Sequence, residues 1–366
     1  MVVISIPKYR FDEIAINSTE KKKPTEADKE TYIGLEHLDS GILEVTRWGA
    51  EVAPVGDKLV MRKGDILFGR RRAYQKKVAI APFDGIFSAH GMVLRPIETV
   101  ISKEFFPFFI SSDYFLDAAI QISVGSLSPT INWRDLCKLE FEIPTIEEQR
   151  ELSPILWGMN RLKAAYSNLL QQMDALVQSQ FVEMFGDPET NSLDLPLKRL
   201  PDIGENLDSR RIPITSGDRK EGKYPYYGAS GIVDYVDDYI FDEDILLISE
   251  DGANLLARVT PIAFPATGKV WVNNHAHVMR FPSMALQVYI EKLLNMIDIS
   301  HYVTGTAQPK LNQAKLNAIP IPVPERSLLQ RYMVFVQETD KSKLAIQQAL
   351  DSLEKSRNAI MKKVFG

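Results

Sequence analysis

The chain has 366 residues, enough for two or three domains, and its 45% hydrophobic and 25% charged residues are typical of a globular protein. It has no apolar run of roughly 20 residues, no signal-peptide pattern at its start and a single cysteine, so we expect a cytoplasmic protein without a disulfide framework or a cysteine-rich zinc site. The net charge of −5 argues against a uniformly basic nucleic-acid binder, but a local cationic patch is still compatible with it.

Residues 1–143 predict a first globular domain of mixed α and β structure. Apolar runs at Val78–Ala81 and Met92–Leu94 favour strands, and a helix is expected from about Lys103 to Gln121. A polar loop that begins at Gly125 follows. The sequence KLEFEIP then alternates as a half-buried strand does.

A long helix is predicted over residues 144–186. Its apolar residues recur at alternating steps of three and four, which is the spacing of a coiled-coil seam. The predicted seam consists of Leu152, Ile155, Met159, Leu162, Tyr166, Leu169, Met173 and Leu176. Pro154 lies about two turns in, so a kink or a later start is compatible with the pattern. Gly186 followed by Pro188 ends the helix.

Residues 187–323 predict a second mixed domain, and residues 324–366 predict a second long helix. Strands are expected at Asp244–Ile248 and Val270–Val272, and a helix from about Met284 to Ile299. The second seam is weaker in its middle, where Thr339 and Lys343 fall at core positions. Its apolar members are Leu329, Tyr332, Val336, Ile346, Leu350, Leu353, Ile360 and Val364.

The chain repeats itself with an offset of 180 residues. The pattern G-x-x-x-P-x-[IL]-N occurs at 125–132 and again at 305–312, and Phe-Gly occurs at 185–186 and 365–366. A weaker match relates Ala89-His90 to Ala276-His277. Because solenoids repeat every 20 to 50 residues, this long period indicates one duplicated unit of a globular part and a helix. The two seams either pack on each other or cover their own domains separately.

Several motifs on this duplicated frame resemble those of type I restriction-modification specificity subunits. They are YIGLEHL at 32–38, KGDILF at 63–68, PYYGASG at 225–231 and FVEMFGDP at 181–188. The resemblance covers essentially the whole chain. It implies an α+β fold of two similar target-recognition domains joined by two long antiparallel helices. It also implies that each domain recognises one half of a bipartite double-stranded DNA site and that the helices set the spacing between the halves.

The same resemblance implies partners and a division of labour. Two methyltransferase subunits would dock on the chain, and restriction subunits would join them. S-adenosylmethionine would bind to the methyltransferase, so this chain would need neither a cofactor nor a metal and would carry no catalytic residue. The helices would act as a rigid spacer, as dimer geometry does in other DNA-binding proteins.

Candidate DNA-binding residues of the first domain combine cations with hydroxyl and amide groups. Arginine can bind phosphate or a guanine edge, and small polar loops can hold phosphates, although both segments are also compatible with ordinary solvated loops and turns. The candidates are Arg70, Arg71, Arg72, Tyr74, Lys76, Lys77, Ser126, Ser128 and Asn132.

Candidates of the second domain mix cations with tyrosines and add the second polar loop. A turn-rich connection without a DNA role is the alternative for these residues too. The candidates are Arg210, Arg211, Lys220, Lys223, Tyr226, Tyr227, Thr306, Gln308 and Lys310.

Other functions have less support in the sequence. Neither a methyltransferase motif nor a nucleotide-binding Gly-Lys loop is present. The acidic residues near Glu250 and Asp251 suggest a solvated strand edge more than a nuclease site, and His275 and His277 are not accompanied by an evident third metal ligand. A coiled-coil scaffold that does not bind DNA, and a type II-like restriction system, remain alternatives.

Overall fold

The computed structural model describes residues 7–305 and 307–365, which form two compact units. Unit 1 contains the chain up to Ala165 together with the segment from Ala349 onward, and unit 2 contains Tyr166–Gln348. Each unit therefore includes half of each long helix. The predicted division at residues 143, 186 and 323 instead treats the helices as separate segments.

Among the described residues, unit 1 contains ten strands and four short helices in addition to its share of the long helices. The strands are β1 (Lys8–Arg10), β2 (Ala15–Ser18), β3 (Lys21–Lys22), β4 (Tyr32–Ile33), β5 (Lys58–Met61), β6 (Ile66–Phe68), β7 (Val78–Ile80), β8 (Gly85–Phe87), β9 (Met92–Pro96) and β10 (Glu140–Glu142). The helices are α1 (Phe11–Ile14), α2 (Phe106–Ile110), α3 (Asp113–Gln121) and α4 (Trp133–Leu136). The first long helix is α5 (Ile146–Phe185).

Unit 2 contains a similar series in the described part of the chain. Its strands are β11 (Leu197–Lys198), β12 (Glu205–Asn206), β13 (Glu221–Gly228), β14 (Gly231–Val236), β15 (Phe241–Asp242), β16 (Ile245–Ser249), β17 (Ala263–Ala266), β18 (Lys269–Val272), β19 (Ala276–Arg280) and β20 (Ile321–Pro322). Its helices are α6 (Leu200–Ile203), α7 (Asn254–Ala257), α8 (Met284–Met296) and α9 (Gln313–Ala318), and the second long helix is α10 (Arg326–Phe365).

The sheets of the two units have closely similar topology. Unit 1 has an antiparallel sheet β2-β9-β6-β7, a sheet β3-β5-β8-β4 with one parallel pair, and a two-stranded ribbon β1-β10. Unit 2 has an antiparallel sheet β12-β19-β16-β17, a sheet β14-β13-β18-β15 with one parallel pair, and a ribbon β11-β20. The predicted α+β fold with two similar domains is therefore confirmed.

The helix before each polar loop differs from its predicted extent. In unit 1 the expected helix 103–121 is two helices, because Ser112 interrupts it and caps α3 by accepting a hydrogen bond from the Phe115 N–H at 3.2 Å. In unit 2 the hydroxyl of Ser283 caps α8 in the same way, and that helix ends at Met296.

The two long helices run antiparallel to each other within each unit. In unit 2 the hydroxyl of Tyr332 donates to the Val177 carbonyl at 3.1 Å, and Lys343 forms an ion pair with Asp174. The later residue of α10 therefore contacts the earlier residue of α5, as in an antiparallel pair. In unit 1 Lys163 forms an ion pair with Glu354. Each helix has 40 residues, and α5 continues through Pro154 as a single helix.

The predicted seam of α10 agrees with the structure, including its polar middle. Leu329, Tyr332, Val336 and Leu350 are buried, and so is Thr339, whose hydroxyl donates to the Phe335 carbonyl at 2.9 Å. Lys343 is partly buried and keeps its charge paired. The other predicted apolar members of this seam are half-buried.

Half of the predicted seam of α5 is wrong. Leu156 and Val177, which the prediction omitted, are buried, and the half-buried Lys163 and Leu170 lie between them at the same heptad spacing. Four predicted members face solvent instead, each more than a third exposed. We call these four residues the α5 apolar stripe: Ile155, Leu162, Leu169 and Leu176.

Each unit has its own hydrophobic core. The core of unit 1 includes Phe11, Phe109, Phe115 and Phe141, and the C-terminal end of α10 contributes Phe365 to it. The core of unit 2 takes three residues from α5 and three from α10. They are Val177, Phe181, Phe185, Leu329, Tyr332 and Val336. No helix in the described ranges is long and apolar enough to cross a membrane.

Candidate nucleic-acid interface

The first Gly-x-x-x-Pro loop is a narrow hairpin that presents polar groups at its tip. Val124 and Thr130 exchange both backbone hydrogen bonds, at 3.0 and 2.9 Å, and Gly125 has a φ of +112°, which favours glycine. Ser126 is exposed at the tip and Ser128 is partly exposed. The hairpin therefore holds its hydroxyl groups in one place at the surface.

The arginine segment lies directly against this hairpin. The Ile131 N–H donates to the Arg70 carbonyl at 2.9 Å, and the Arg72 N–H donates to the Pro129 carbonyl at 2.8 Å. The guanidinium of Arg71 donates from Nε to the Ser128 hydroxyl at 3.1 Å. Two groups of candidates, which no sequence pattern connects, therefore form one surface.

Within this surface only some of the candidates are free to contact a ligand. Arg71, Arg72 and Tyr74 are exposed, and so is Asn132, which precedes α4. Arg70 is half-buried, and its Nε has no hydrogen-bond partner among the described residues.

The two lysines of the segment are already paired. Lys76 forms ion pairs with Asp113 and Asp117 at 2.7 and 2.8 Å. Although partial burial opposes it, hydrogen bonding to these carboxylates raises the pKa of the Lys76 amine. Lys77 donates to the Leu35 carbonyl at 2.6 Å. Both side chains have a role in fixing the loop, and neither is a free cation.

The second Gly-x-x-x-Pro loop repeats the geometry of the first. Thr304 and Lys310 exchange both backbone hydrogen bonds, at 2.9 and 2.7 Å, and Gly305 has a φ of +82°. Gln308 and Lys310 are exposed. Thr306 lies outside the described residues, so its role in DNA binding stays a prediction.

The segment beside the second loop has the opposite charge to its counterpart in unit 1. The Leu311 N–H donates to the Glu250 carbonyl at 2.8 Å, and the Gly252 N–H donates to the Pro309 carbonyl at 3.0 Å. These bonds repeat those made at Arg70 and Arg72, so Glu250, Asp251 and Gly252 occupy the places of the three arginines. The sequence interpretation of Glu250 as part of a solvated edge is wrong, because its side chain is only 12% exposed.

Cations of unit 2 neutralise this acidic segment. Arg211, itself 14% exposed, lies 2.7 Å from Glu250 and 3.4 Å from Asp208, and Lys310 lies 3.2 Å from Glu250. Although burial would raise the pKa of the Glu250 carboxyl, the hydrogen bond from Arg211 and the neighbouring charges hold that pKa below its usual range. Arg211 thus stabilises the base of the loop.

His277 completes the network as a third group. Asp208, Glu250 and His277 bring ligand atoms within 4.8 Å of one another, as a metal site would. However, His277 is buried, with Nδ1 at 2.6 Å from Asp208 and Nε2 at 2.7 Å from the Leu311 carbonyl, and Arg211 and Lys310 bind Glu250. These contacts describe an ion-pair network that ties the loop to the sheet.

The remaining candidates of unit 2 divide by exposure. Tyr226 of β13 is 1% exposed, and its hydroxyl accepts a hydrogen bond from the Ile214 N–H at 2.9 Å, so it is a buried core residue. Tyr227 is half-buried. Arg210 is exposed but pairs with Glu243 at 2.6 Å. The exposed Lys220 and Lys223 form no ion pair within the ranges that the structure describes.

The register of the sheets corrects the predicted match between histidines. Phe68 of β6 lies opposite Met92, and Ile248 of β16, 180 residues later, lies opposite His277. Met92 therefore corresponds to His277. His90, two residues before Met92, corresponds to His275.

The duplicated architecture and the paired loops agree with a sequence-family comparison. Residues 11–167 and 194–362 match the type I restriction modification DNA specificity domain, one copy in each half of the chain. The chain belongs to this family. The specificity-domain family supplies the recognition component of a restriction-modification system, in agreement with the motifs described above.

Two named relatives carry the same designation. A protein of Haemophilus influenzae named as a type I restriction enzyme specificity subunit is 35% identical over 131 residues, which is 36% of this chain and 34% of that protein. The Escherichia coli type I restriction enzyme EcoDI specificity subunit is 25% identical over 182 residues, 48% of this chain and 40% of the relative. The matched regions thus span less than half the length of each relative.

A solved structure supports the fold over the whole chain. The type I restriction-modification system S subunit from M. genitalium superposes with a TM-score of 0.62 at 16% identity, covering 100% of this chain and 98% of that one. A structure described as the basis of complex assembly and conformational transition of the type I system superposes with a TM-score of 0.54 at 18% identity, covering 98% and 97%. Similarity at this level establishes the architecture alone.

Proposed function

We propose that this chain is the DNA sequence-specificity subunit of a type I restriction-modification complex, in which each unit recognises one half of a bipartite site. The observation that carries the proposal is the duplicated surface in which a polar hairpin lies against the end of a central strand. Duplication of a recognition surface within one chain is suited to a two-part site, since binding of the first half makes the second contact intramolecular.

In unit 1 the exposed arginines provide the means of contacting DNA. Arg71 donates to the Ser128 hydroxyl and the Arg72 N–H donates to the Pro129 carbonyl of the same hairpin, so cationic and neutral donors converge on one patch. Phosphate contacts of this kind position a protein on the duplex, and an arginine that reaches a base edge adds specificity. The overall charge of −5 does not oppose this role because the patch is local.

The long helices supply the proposed spacer and docking surface. Each begins in one unit and ends in the other, so their length would fix the separation between the two half-sites. The α5 apolar stripe leaves Ile155, Leu162, Leu169 and Leu176 between 38% and 51% exposed, at intervals of seven residues. Heptad spacing is suited to a partner helix, and we assign this surface to the methyltransferase subunits.

The chemistry of modification would belong to the partners. S-adenosylmethionine and the catalytic residues would reside in two methyltransferase subunits, and restriction subunits would join the assembly. This chain would contribute recognition and geometry without a catalytic residue, a cofactor or a metal. Support comes from the roles of its polar clusters, which form ion pairs and loop contacts in the described regions.

Adenine-methylation mapping across a genome tests the proposal. Cells would express this chain with and without its neighbouring methyltransferase. A new bipartite methylated motif that requires both proteins is the expected result. A stable complex of the two proteins that produces no sequence-specific methylation would contradict the proposal and favour a scaffold that does not recognise DNA.

A further inference from the structure

Each unit carries a histidine at the equivalent place beside its polar hairpin. The strand register gives this equivalence, since His90 and His275 each lie two residues before the partner of Phe68 or Ile248. The His90 carbonyl accepts a hydrogen bond from the Arg71 N–H at 3.3 Å, and the His275 carbonyl accepts one from the N–H of Glu250, the counterpart of Arg70, at 2.9 Å. Both residues are exposed. Neither histidine belongs to the cationic surface on which the proposed function rests.

His275 and His277 are two residues apart, but their rings have opposite environments. His277 is buried and bonds through both ring nitrogens, to Asp208 and to the Leu311 carbonyl. The ring of His275 is 48% exposed. Its Nδ1 lies 2.8 and 3.0 Å from the carboxylate oxygens of Asp251, and within the described residues its Nε2 has no partner.

Asp251 orients the ring and determines which nitrogen carries the proton. A carboxylate accepts hydrogen bonds, so Nδ1 of His275 is the donor, and when the ring carries a single proton Nε2 is left as an acceptor. Asp251 is itself 16% exposed and forms a backbone bridge with Lys310 of the hairpin. A histidine held in this way by a carboxylate is an arrangement that binding sites use to fix hydrogen-bonding polarity.

The equivalent position in unit 1 has the reverse polarity. Nε2 of His90 lies 3.4 Å from Nη1 of Arg71, and a guanidinium only donates, so Nε2 accepts and Nδ1 carries the outward proton. Partial burial and the adjacent arginine lower the pKa of His90 and keep this ring neutral. The same place in the duplicated fold therefore offers a donor in one unit and an acceptor in the other, as expected of a position that selects between bases.

We propose that His275, oriented by Asp251, is a specificity-determining residue of unit 2 that accepts a hydrogen bond from the exocyclic amino group of an adenine or a cytosine. These amino groups are the base-edge donors displayed in the major groove. This inference rests on the proposed function. It adds the residue and the class of base atom through which unit 2 discriminates.

The test uses the complex of this chain with its methyltransferase on duplexes that contain the mapped site. Each base pair of both half-sites is replaced in turn, and binding is measured for the wild type, His275→Ala and His275→Gln. For His275→Ala we expect roughly tenfold weaker binding to the intact site, as for the loss of one hydrogen bond to a base. Replacement of one A·T or C·G pair should then cause no further loss, whereas every other replacement keeps its wild-type effect.

Comparison with His275→Gln and with a further variant, His90→Ala, makes the result specific. His275→Gln retains an acceptor and should restore part of the discrimination at that base pair. His90→Ala should change selectivity only in the other half-site, which makes it the matched control. Selective loss at a single base pair is a result that a purely structural role of His275 would not produce.

Three outcomes would overturn the inference. Unchanged binding by His275→Ala, or an equal loss at every base pair, would remove His275 from base recognition while the proposed function stands. Loss of thermal stability in both His275→Ala and His275→Gln without a change in selectivity would identify a structural residue. Absence of sequence-specific methylation by the wild-type complex would instead overturn the proposed function, and this inference with it.

Discussion

Arg70 of unit 1 and Glu250 of unit 2 occupy the same place in the duplicated fold. The carbonyl of each accepts a hydrogen bond from the residue two positions after the proline of its Gly-x-x-x-Pro loop, Ile131 in one case and Leu311 in the other. The backbone framework is therefore common to both units, while the side chains at its surface differ in charge. We expect unit 1 to supply more of the electrostatic affinity for DNA than unit 2.

Removal of the exposed charges of unit 1 should weaken DNA binding and reduce its dependence on salt. Arg71→Gln removes a guanidinium, and Arg72→Asn suits a φ of +55° better than alanine would. Each lost phosphate contact should lower the slope of log K against log salt by about 0.9. Titration of a labelled duplex at several salt concentrations measures this slope, and Lys103→Gln, at an exposed lysine outside the segment, is the control.

An unchanged salt slope in the Arg71→Gln, Arg72→Asn double variant would remove this segment from the interface. A decrease that Lys103→Gln reproduces would show that only the net charge matters.

Arg211 should matter for stability more than for affinity. Arg211→Met removes the cation that lies 2.7 Å from Glu250 and 3.4 Å from Asp208, and it leaves Glu250 paired with the exposed Lys310, at 3.2 Å. The loss of one partner of a largely buried ion pair costs about 3 kcal/mol. Arg280, 47% exposed, pairs with Glu205 and Glu243 at the surface. Arg280→Met should therefore cost much less stability than Arg211→Met, because solvent screens an exposed ion pair.

Urea unfolding of the two variants measures the difference in the free energy of unfolding. Equal effects for Arg211→Met and Arg280→Met would show that the buried network contributes no more than a surface pair.

Acid should weaken unit 2 through the same carboxyl groups. Burial opposes ionisation of Asp208 and Glu250, but hydrogen bonds from His277 and Arg211 hold the pKa values of both carboxyls below their usual ranges. A carboxyl whose pKa is lowered by folding stabilises the folded state above its unfolded pKa, and this contribution is lost as pH falls through the folded value. The free energy of unfolding should decrease as pH falls below about 4, where unfolded carboxyls take up protons, and less steeply in Arg211→Met. Parallel pH profiles for the two proteins would contradict this assignment.

The sequence shows that the chain is duplicated, but it does not show every pair of residues that the duplication makes equivalent in space. The offset of 180 residues identifies the two hairpins because their glycines and prolines are fixed by backbone geometry. The histidine match was displaced by two positions, because only the strand register relates His90 to His275. Asp251 was considered only as part of an acidic edge, and nothing in the local sequence shows that it lies beside a histidine 24 residues away.

The seams show the limits of periodicity more clearly. In α10 a single stripe fits, and even the polar Thr339 and Lys343 were placed correctly at core positions. In α5 two sets of residues have heptad spacing: the α5 apolar stripe, and the set that begins at Leu156 and includes Lys163. The α5 apolar stripe is the more apolar of the two, yet it is the exposed one. Leu162 is 42% exposed while Lys163, the next residue, pairs across to α10, so hydrophobicity alone selects the wrong face.

The α5 apolar stripe should be required for assembly but not for folding. Leu162→Gln with Leu169→Gln replaces two exposed side chains, 42% and 38% accessible, with polar groups that the free chain tolerates. We expect at least tenfold weaker binding of the methyltransferase by calorimetry, because two apolar contacts would be lost from the interface at about 1 kcal/mol each or more.

Leu197→Gln is the matched control, because this leucine is 57% exposed and belongs to β11 and not to a long helix. Wild-type affinity in the double variant, with an unchanged thermal transition, would show that the methyltransferase docks elsewhere.

The length of the paired helices should determine the accepted distance between half-sites. Seven residues inserted between Asn168 and Leu169, and seven between Gln348 and Ala349, lengthen both helices by about 10 Å and preserve the heptad register. The positions correspond because Asp174 pairs with Lys343 on one side and Lys163 with Glu354 on the other. Methylation mapping should show the same half-sites separated by about three more base pairs, since base pairs are spaced about 3.4 Å apart.

Insertion into α5 alone breaks the register with α10 and should abolish methylation. If the double insertion still methylates sites of the original spacing, the helices do not set the separation, and the distance must be determined by the methyltransferase subunits.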